Sequence, residues 1–161
     1  MNAVAMVDSP DSSPARVESK LLGSLDVPAG QRFSFPQGIF GFPEARTFGL
    51  IPAEKEGIFW LQSMEFEALT FLLIDPFAFV DDYAVDLGPQ ELGELMPADA
   101  SDLLVLSILT LPRQADEAAT TNLQGPLALN LGRRLGRQVV IQDSPFGIRH
   151  PVDVRGKGER A

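Results

Sequence analysis

The sequence predicts a mainly β fold, an antiparallel sandwich or small barrel-like domain with short helical insertions. Three observations carry that expectation. Fourteen glycines and 13 prolines in 161 residues exceed the usual combined share of about 12% and favour turns over long helices. Apolar residues come in short runs, several of them alternating with polar ones, as half-buried strands do. Helical periodicity is confined to two brief stretches. At 45% hydrophobic and 22% charged, the composition is globular, and the length suffices to bury one core without cross-links.

The elements follow in order. Residues 1–15 mix Ser, Pro, Ala and Asp with few large apolar groups. They cannot repay the entropy of ordering, so a flexible tail is expected. Residues 17–27 read as a strand interrupted at Gly23, and 32–35 as a half-buried strand stopped by Pro36. Further strands are expected at 48–51, 58–64 and 70–74. The last is almost continuously apolar, so both of its faces should be covered. Residues 88–96 place Leu92, Leu95 and Met96 at helical spacing behind Pro89, with Pro97 as the stop. The run LLVLSILTL at 103–111 is the most apolar and should be a central strand. A helical turn or two is expected at 116–123. Apolar runs at 127–131 and 137–142 flank a Gly-bounded five-residue loop, the pattern of a hairpin. Residues 153–161 are Gly- and charge-rich and should fray. The expected organisation is one domain, 16–152, between two tails.

Several chemistries are excluded or weakened. With no cysteine and a single histidine, His150, disulfides, thiolate metal sites and cysteine nucleophiles are ruled out. No G-x-S-x-G elbow accompanies Ser144, His150 and Asp153, and no P-loop, dinucleotide fingerprint or EF-hand loop occurs. No cofactor is expected. His150, in Arg149-His150-Pro151, reads as a surface or capping residue. Paired acids at Asp75 and Asp81-Asp82 leave open a small carboxylate-dependent enzyme, which would need a deep pocket with convergent acids.

The formal charge is −9, from 13 basic and 22 acidic residues. That sign disfavours direct contact with nucleic acid and suits a basic protein partner. The N-terminal residues lack a signal-peptide pattern, and no apolar run approaches a membrane span. A soluble cytoplasmic protein, monomeric when free, is expected. From Glu56 to Pro112 there is no Lys or Arg, while eleven acids fall in that stretch and basic residues gather after 130. Two readings stand open. The late basic residues could fold back to neutralise the acids, or an acidic face could steer a basic partner. Within the acidic stretch, DPFAFVDDY at 75–83 interleaves aromatics with acids, a composition suited to a protein interface. The loop FPQGIFGF at 35–42 also holds two alternatives, a turn anchored on the core or a partner contact.

Taken in order, these blocks resemble the FliW family of bacterial flagellar assembly factors. The resemblance runs from about Val17 to Pro151. FPQGIFGF at 35–42 resembles the family's F-P-x-G-I-x-G-F, and FWLQS at 59–63 its W-L-Q-S strand. Asp75-Pro76-Phe77 follows an apolar strand as in the family. TNLQGPLALN at 121–130, GRQVVI at 136–141 and Arg149-His150-Pro151 complete the order, with Phe146 where a tyrosine is usual. The resemblance implies a small antiparallel β-barrel-like fold and no enzymatic activity. It also implies two protein partners, flagellin and the RNA-binding translational regulator CsrA. In the family FliW antagonises CsrA, flagellin competes for FliW, and flagellin secretion frees FliW to relieve repression of flagellin translation. A chaperone serving flagellin alone would share every motif. The expected partner surface is Asp75, Phe77, Asp81, Asp82 and Tyr83, with Gln62 and Asn122 shaping it.

Overall fold

The computed structural model describes residues 15–154. The expected tails, 1–15 and 153–161, fall almost wholly outside them. Among the described residues the chain forms strands β1 (Ala15–Ser19), β2 (Gly23–Val27), β3 (Arg32–Ser34), β4 (Thr47–Pro52), β5 (Ile58–Ser63) and β6 (Thr70–Ile74). Two short helices follow, α1 (Pro76–Phe79) and α2 (Pro89–Leu95). Strands β7 (Leu103–Thr110), β8 (Ala119–Thr121), β9 (Leu127–Asn130), β10 (Leu135–Gln138) and β11 (His150–Val152) complete the fold.

Seven strands close a barrel in the order β9-β10-β3-β4-β5-β6-β7, with β7 pairing back onto β9. Neighbours are antiparallel except at the parallel bridge Leu135–Ser34 between β10 and β3. Strands β8 and β11 extend the sheet beyond β7, so the mainly β expectation holds as a closed barrel. The run at 103–111 is central as expected: β7 pairs with β6, β8 and β9.

The barrel interior holds Phe33, Phe35, Phe48, Leu61, Leu73, Leu106, Leu127 and Leu129. Strand β9 shows why its sequence lacks clean alternation. Leu127 and Leu129 face the interior, while Ala128 faces outward beneath Leu95 of α2. Strand β6 does the same, with Leu73 inside and Ile74 in a second cluster with Val80, Tyr83, Leu109, Leu123 and Val152. Both faces are covered, so the run is apolar throughout. The β10–β3 seam is tight. A Cβ on Gly136 would lie 2.4 Å from the Phe35 ring.

Three local expectations are corrected. Residues 17–27 form an antiparallel hairpin, β1–β2, rather than one interrupted strand. Gly23 takes a positive φ of 82°, and the Ser19 hydroxyl accepts from the amides of Leu21 and Leu22, building the turn. The helix expected at 116–123 does not form. Ala119–Thr121 is strand β8, held between β7 and β11. The β-branched Thr121 shares a hydroxyl bond with Ser107 (2.6 Å) and donates to the Ile108 carbonyl. The expected hairpin at 127–142 forms with its second strand two residues early, at Leu135. The Asn130 carboxamide oxygen accepts from Gly132 and Arg133 and so shortens the loop.

Helix α2 matches its signals. Proline occupies its first turn, the Glu91 carboxylate accepts from the Gly88 amide (2.9 Å), and left-handed Met96 closes it before Pro97. Among the described residues no helix is long and apolar enough to cross a membrane.

Candidate functional site

The expected site residues divide between two places. Asp75, Phe77, Asp81, Asp82 and Tyr83 lie together where the chain leaves β6. Asp75 caps α1, its Oδ1 accepting from the Phe77 amide (3.1 Å), while its own amide donates to Gly57 (2.8 Å). Phe77 stands 49% exposed on the first turn. Asp81 and Asp82 are exposed at the following turn, where Asp82 holds φ of 63°. Aspartate tolerates that conformation better than most residues.

Tyr83 turns inward. Its hydroxyl donates to the Leu123 carbonyl (2.7 Å), and burial pushes its pKa up to about 12. Its ring lies 5.4 Å from Phe77 and 5.5 Å from Phe146, and Phe146 in turn meets the His150 ring edge-on at 5.2 Å. Phe77 is therefore the outer member of an aromatic chain anchored in the core, which holds an exposed ring in place at little entropic cost.

Gln62 lies elsewhere and is fully buried. Its Oε1 accepts from Ser19 (2.6 Å) and from Thr70, and its Nε2 donates to the Ser63 carbonyl (2.9 Å). It ties the β1–β2 hairpin to the barrel, helped by the Lys20 amide bonding to Glu67 (2.9 Å) and by Val27 seated on Gly49. Asn122 is half-buried at the corner between β8 and β9. Its Oδ1 accepts from the amides of Gln124 and Gly125, a local turn next to the carbonyl that receives Tyr83. The FPQGIFGF loop is a turn anchored on the core that leaves an aromatic ring exposed. Phe35 and Ile39 are buried, Gly38 has φ of 68° with backbone where a Cβ would sit, and Phe40 stands 62% exposed.

Among the described residues, most acids of the 56–112 stretch have no ion-paired cation. Among the described residues, Glu94 is the member of that set paired with a basic side chain, Arg137 of β10. Several others bond backbone amides instead, as Glu65 does at Arg46 and Thr47, and Asp102 at Ala98 and Asp99. Among the described residues, contact ion pairing with the late basic residues thus reaches Glu94 of the acidic stretch.

Beside Phe77 a groove of about 500 Å³ opens between the 75–92 segment and β7, lined by Asp75, Phe77, Asp86, Leu92, Leu103 and Val105 among others. The residues from Val85 onward escape sequence reasoning, because the extended stretch 83–88 has no periodicity and pairs with no strand. The groove is broad and open to solvent, unlike the deep cleft a carboxylate-dependent enzyme would need. Near His150, the Ser144 hydroxyl accepts from the Phe146 amide (3.0 Å) in a local turn. No three acidic or histidine side chains among the described residues are placed to hold a metal ion.

The fold is thus a small β-barrel whose interior is filled by side chains, with an acidic, aromatic surface on one flank. The FliW protein family model matches residues 16–152, and the chain belongs to that family. It is 34% identical over 138 residues to the flagellar assembly factor FliW of Natranaerobius thermophilus, covering 85% of this chain and 91% of that protein. Against the flagellar assembly factor FliW of Treponema denticola, identity is 32% over 136 residues, with 84% and 92% covered. A crystal structure of the flagellar assembly factor FliW superposes with a TM-score of 0.78 at 32% identity, covering 85% of this chain and 96% of that one.

Proposed function

We propose that this flagellar assembly factor acts in the cytoplasm, without catalysis, as a partner-switching regulator. It binds flagellin and antagonises CsrA, so that flagellin translation is repressed while unsecreted flagellin occupies the protein. The observation that carries the reading is the surface around Phe77. An aromatic ring held half-exposed stands beside Asp75, Asp81 and Asp82, none of them ion-paired among the described residues. Such a surface attracts a basic partner at long range and gives it an apolar anchor at contact. In this reading Tyr83 and Asn122 position the surface from behind, and Gln62 holds the barrel end rigid.

The test is titration calorimetry against flagellin and against CsrA from the same organism, followed by competition. Binding to both, with flagellin displacing CsrA, supports partner switching. Binding to flagellin alone identifies a dedicated flagellin chaperone and ends the regulatory half. Binding to neither ends the reading. The Asp81→Lys, Asp82→Asn double variant should keep its fold, bind at least about tenfold more weakly and lose part of its salt dependence. Unchanged affinity would move the partner surface elsewhere.

A further inference from the structure

Closing a barrel removes strand edges, yet a short stretch of the β7 edge stays open here. On one side β7 pairs with β9 and β8. There the Asp102 carbonyl accepts from the Leu131 amide (2.8 Å), and the Ile108 carbonyl from the Asn122 amide (3.0 Å). Alternate residues of a strand aim their backbone groups at alternate edges. Even-numbered residues of β7 therefore face β8 and β9, and odd-numbered ones face the opposite edge. On that edge Leu109 and Ser107 meet Leu72 and Ile74 of β6. Val105 and Leu103 meet no strand. The same register would bring residue 76 opposite Val105, and residue 76 is a buried proline that turns the chain into α1. Proline has no amide to offer a ladder.

The Leu103 amide donates to the Ala100 carbonyl. The Val105 amide, the Val105 carbonyl and the Leu103 carbonyl are left facing the groove, with no backbone partner among the described residues. The groove offers Phe77, Leu92 and Leu103 as apolar walls. Asp75 and Asp86 are its charged members, and none of its lining residues is basic.

We propose that this edge takes an extended peptide as an added strand, one in which apolar residues alternate with lysine or arginine. Unfilled backbone groups on an edge select an extended chain over a helix, because a helix has already used its own amides and carbonyls. Side-chain pockets beside the edge then read every second residue. The acids select cations and reject an acidic strand. The inference rests on the reading of this flank as a protein-binding surface, and it does not depend on which protein supplies the peptide.

The probe is a blocked seven-residue peptide, Lys-Val-Lys-Val-Lys-Val-Lys, titrated into the full chain by calorimetry and followed by amide resonances. Binding should slow exchange of the Val105 amide and weaken with salt. Two isomers N-methylated on opposite backbone edges distinguish strand addition from side-chain docking. The isomer blocked on the edge facing β7 should lose about tenfold or more in affinity, and the other should bind like the parent. Equal behaviour of the two isomers overturns backbone pairing. Replacing lysine by glutamate should abolish binding, and equal binding of that peptide overturns the charge requirement. These tests need no variant protein. As a check from the protein side, Val105→Pro removes the one amide donor facing the groove while leaving the β9 ladder its partners. If flagellin or CsrA binds while the lysine–valine peptide does not, strand addition is wrong and the functional reading stands.

Discussion

Strand β7 has two halves with different surroundings. Residues 107–109 have a strand on either edge, β6 on one side and the β8 corner on the other. Residues 103–105 have β9 on one side and an open groove on the other. Residues 103–105 are all apolar while 107–109 include Ser107, so hydrophobicity does not make the difference. The neighbour does. Strand β6 ends where Asp75-Pro76 turns away, and a proline at that register position cannot continue the ladder. One strand can therefore be paired on both edges over one half and open onto a groove over the other, according to where its partner stops.

The largest effect expected from this contrast is at Leu106, fully buried inside the barrel. Leu106→Ala should cost about 2–5 kcal/mol in urea unfolding, the usual range for emptying a packed leucine site. A loss under about 1 kcal/mol would show the barrel interior to be far looser than its burial implies. Gln62→Ala should cost about 1–3 kcal/mol, since it strands the buried Ser19 hydroxyl, the part-buried Thr70 hydroxyl and the carbonyls it serves. Hydrogen exchange should then speed up in β1 and β2 before it does in β9, and uniform acceleration would deny Gln62 its latching role. Smaller still is the effect of alkaline pH. Burial raises the Tyr83 pKa from the ordinary 10 to about 12, so the fold favours the neutral phenol. That contribution is fully present below pH 10 and is lost as pH rises toward about 12. The chain has one tyrosine, so the phenolate absorbance reports this group alone. A midpoint at the unfolded value with the fold intact would contradict its burial. At the low end, Val105→Thr should change stability by no more than about 0.5 kcal/mol, as expected for a partly exposed site. A cost approaching that of Leu106→Ala would erase the distinction between the two halves.

What was legible in the sequence follows the same physics. Residues 70–74 were readable as a doubly covered strand because the apolar run is uninterrupted, and the 127–142 hairpin because glycines bound its loop. Helix α2 announced itself through Pro89, Leu92, Leu95 and Pro97. Strand β8 is not legible locally, because three residues carry no periodicity and its pairing with β7 and β11 is a long-range fact. Gln62 and Asn122 stand out as motif residues, and their hydrogen bonds show them building the turns and latches of the fold. The groove was half legible. Its aromatic and acidic rim at 75–83 is visible in composition, whereas its floor at Leu103 and Val105 is set by strand register, which no local pattern encodes.

The bridge that closes the barrel joins Leu135 to Ser34, about a hundred residues apart along the chain. A nascent chain emerging from the ribosome therefore completes β3 to β7 well before the strands that seal them exist. Through that interval the half-made sheet presents two raw borders, and its apolar lining has no lid. Vectorial synthesis should thus leave the product most exposed to proteases and chaperones just before β9 and β10 emerge. Chains truncated after residue 126 should be degraded much faster than chains extending past residue 138.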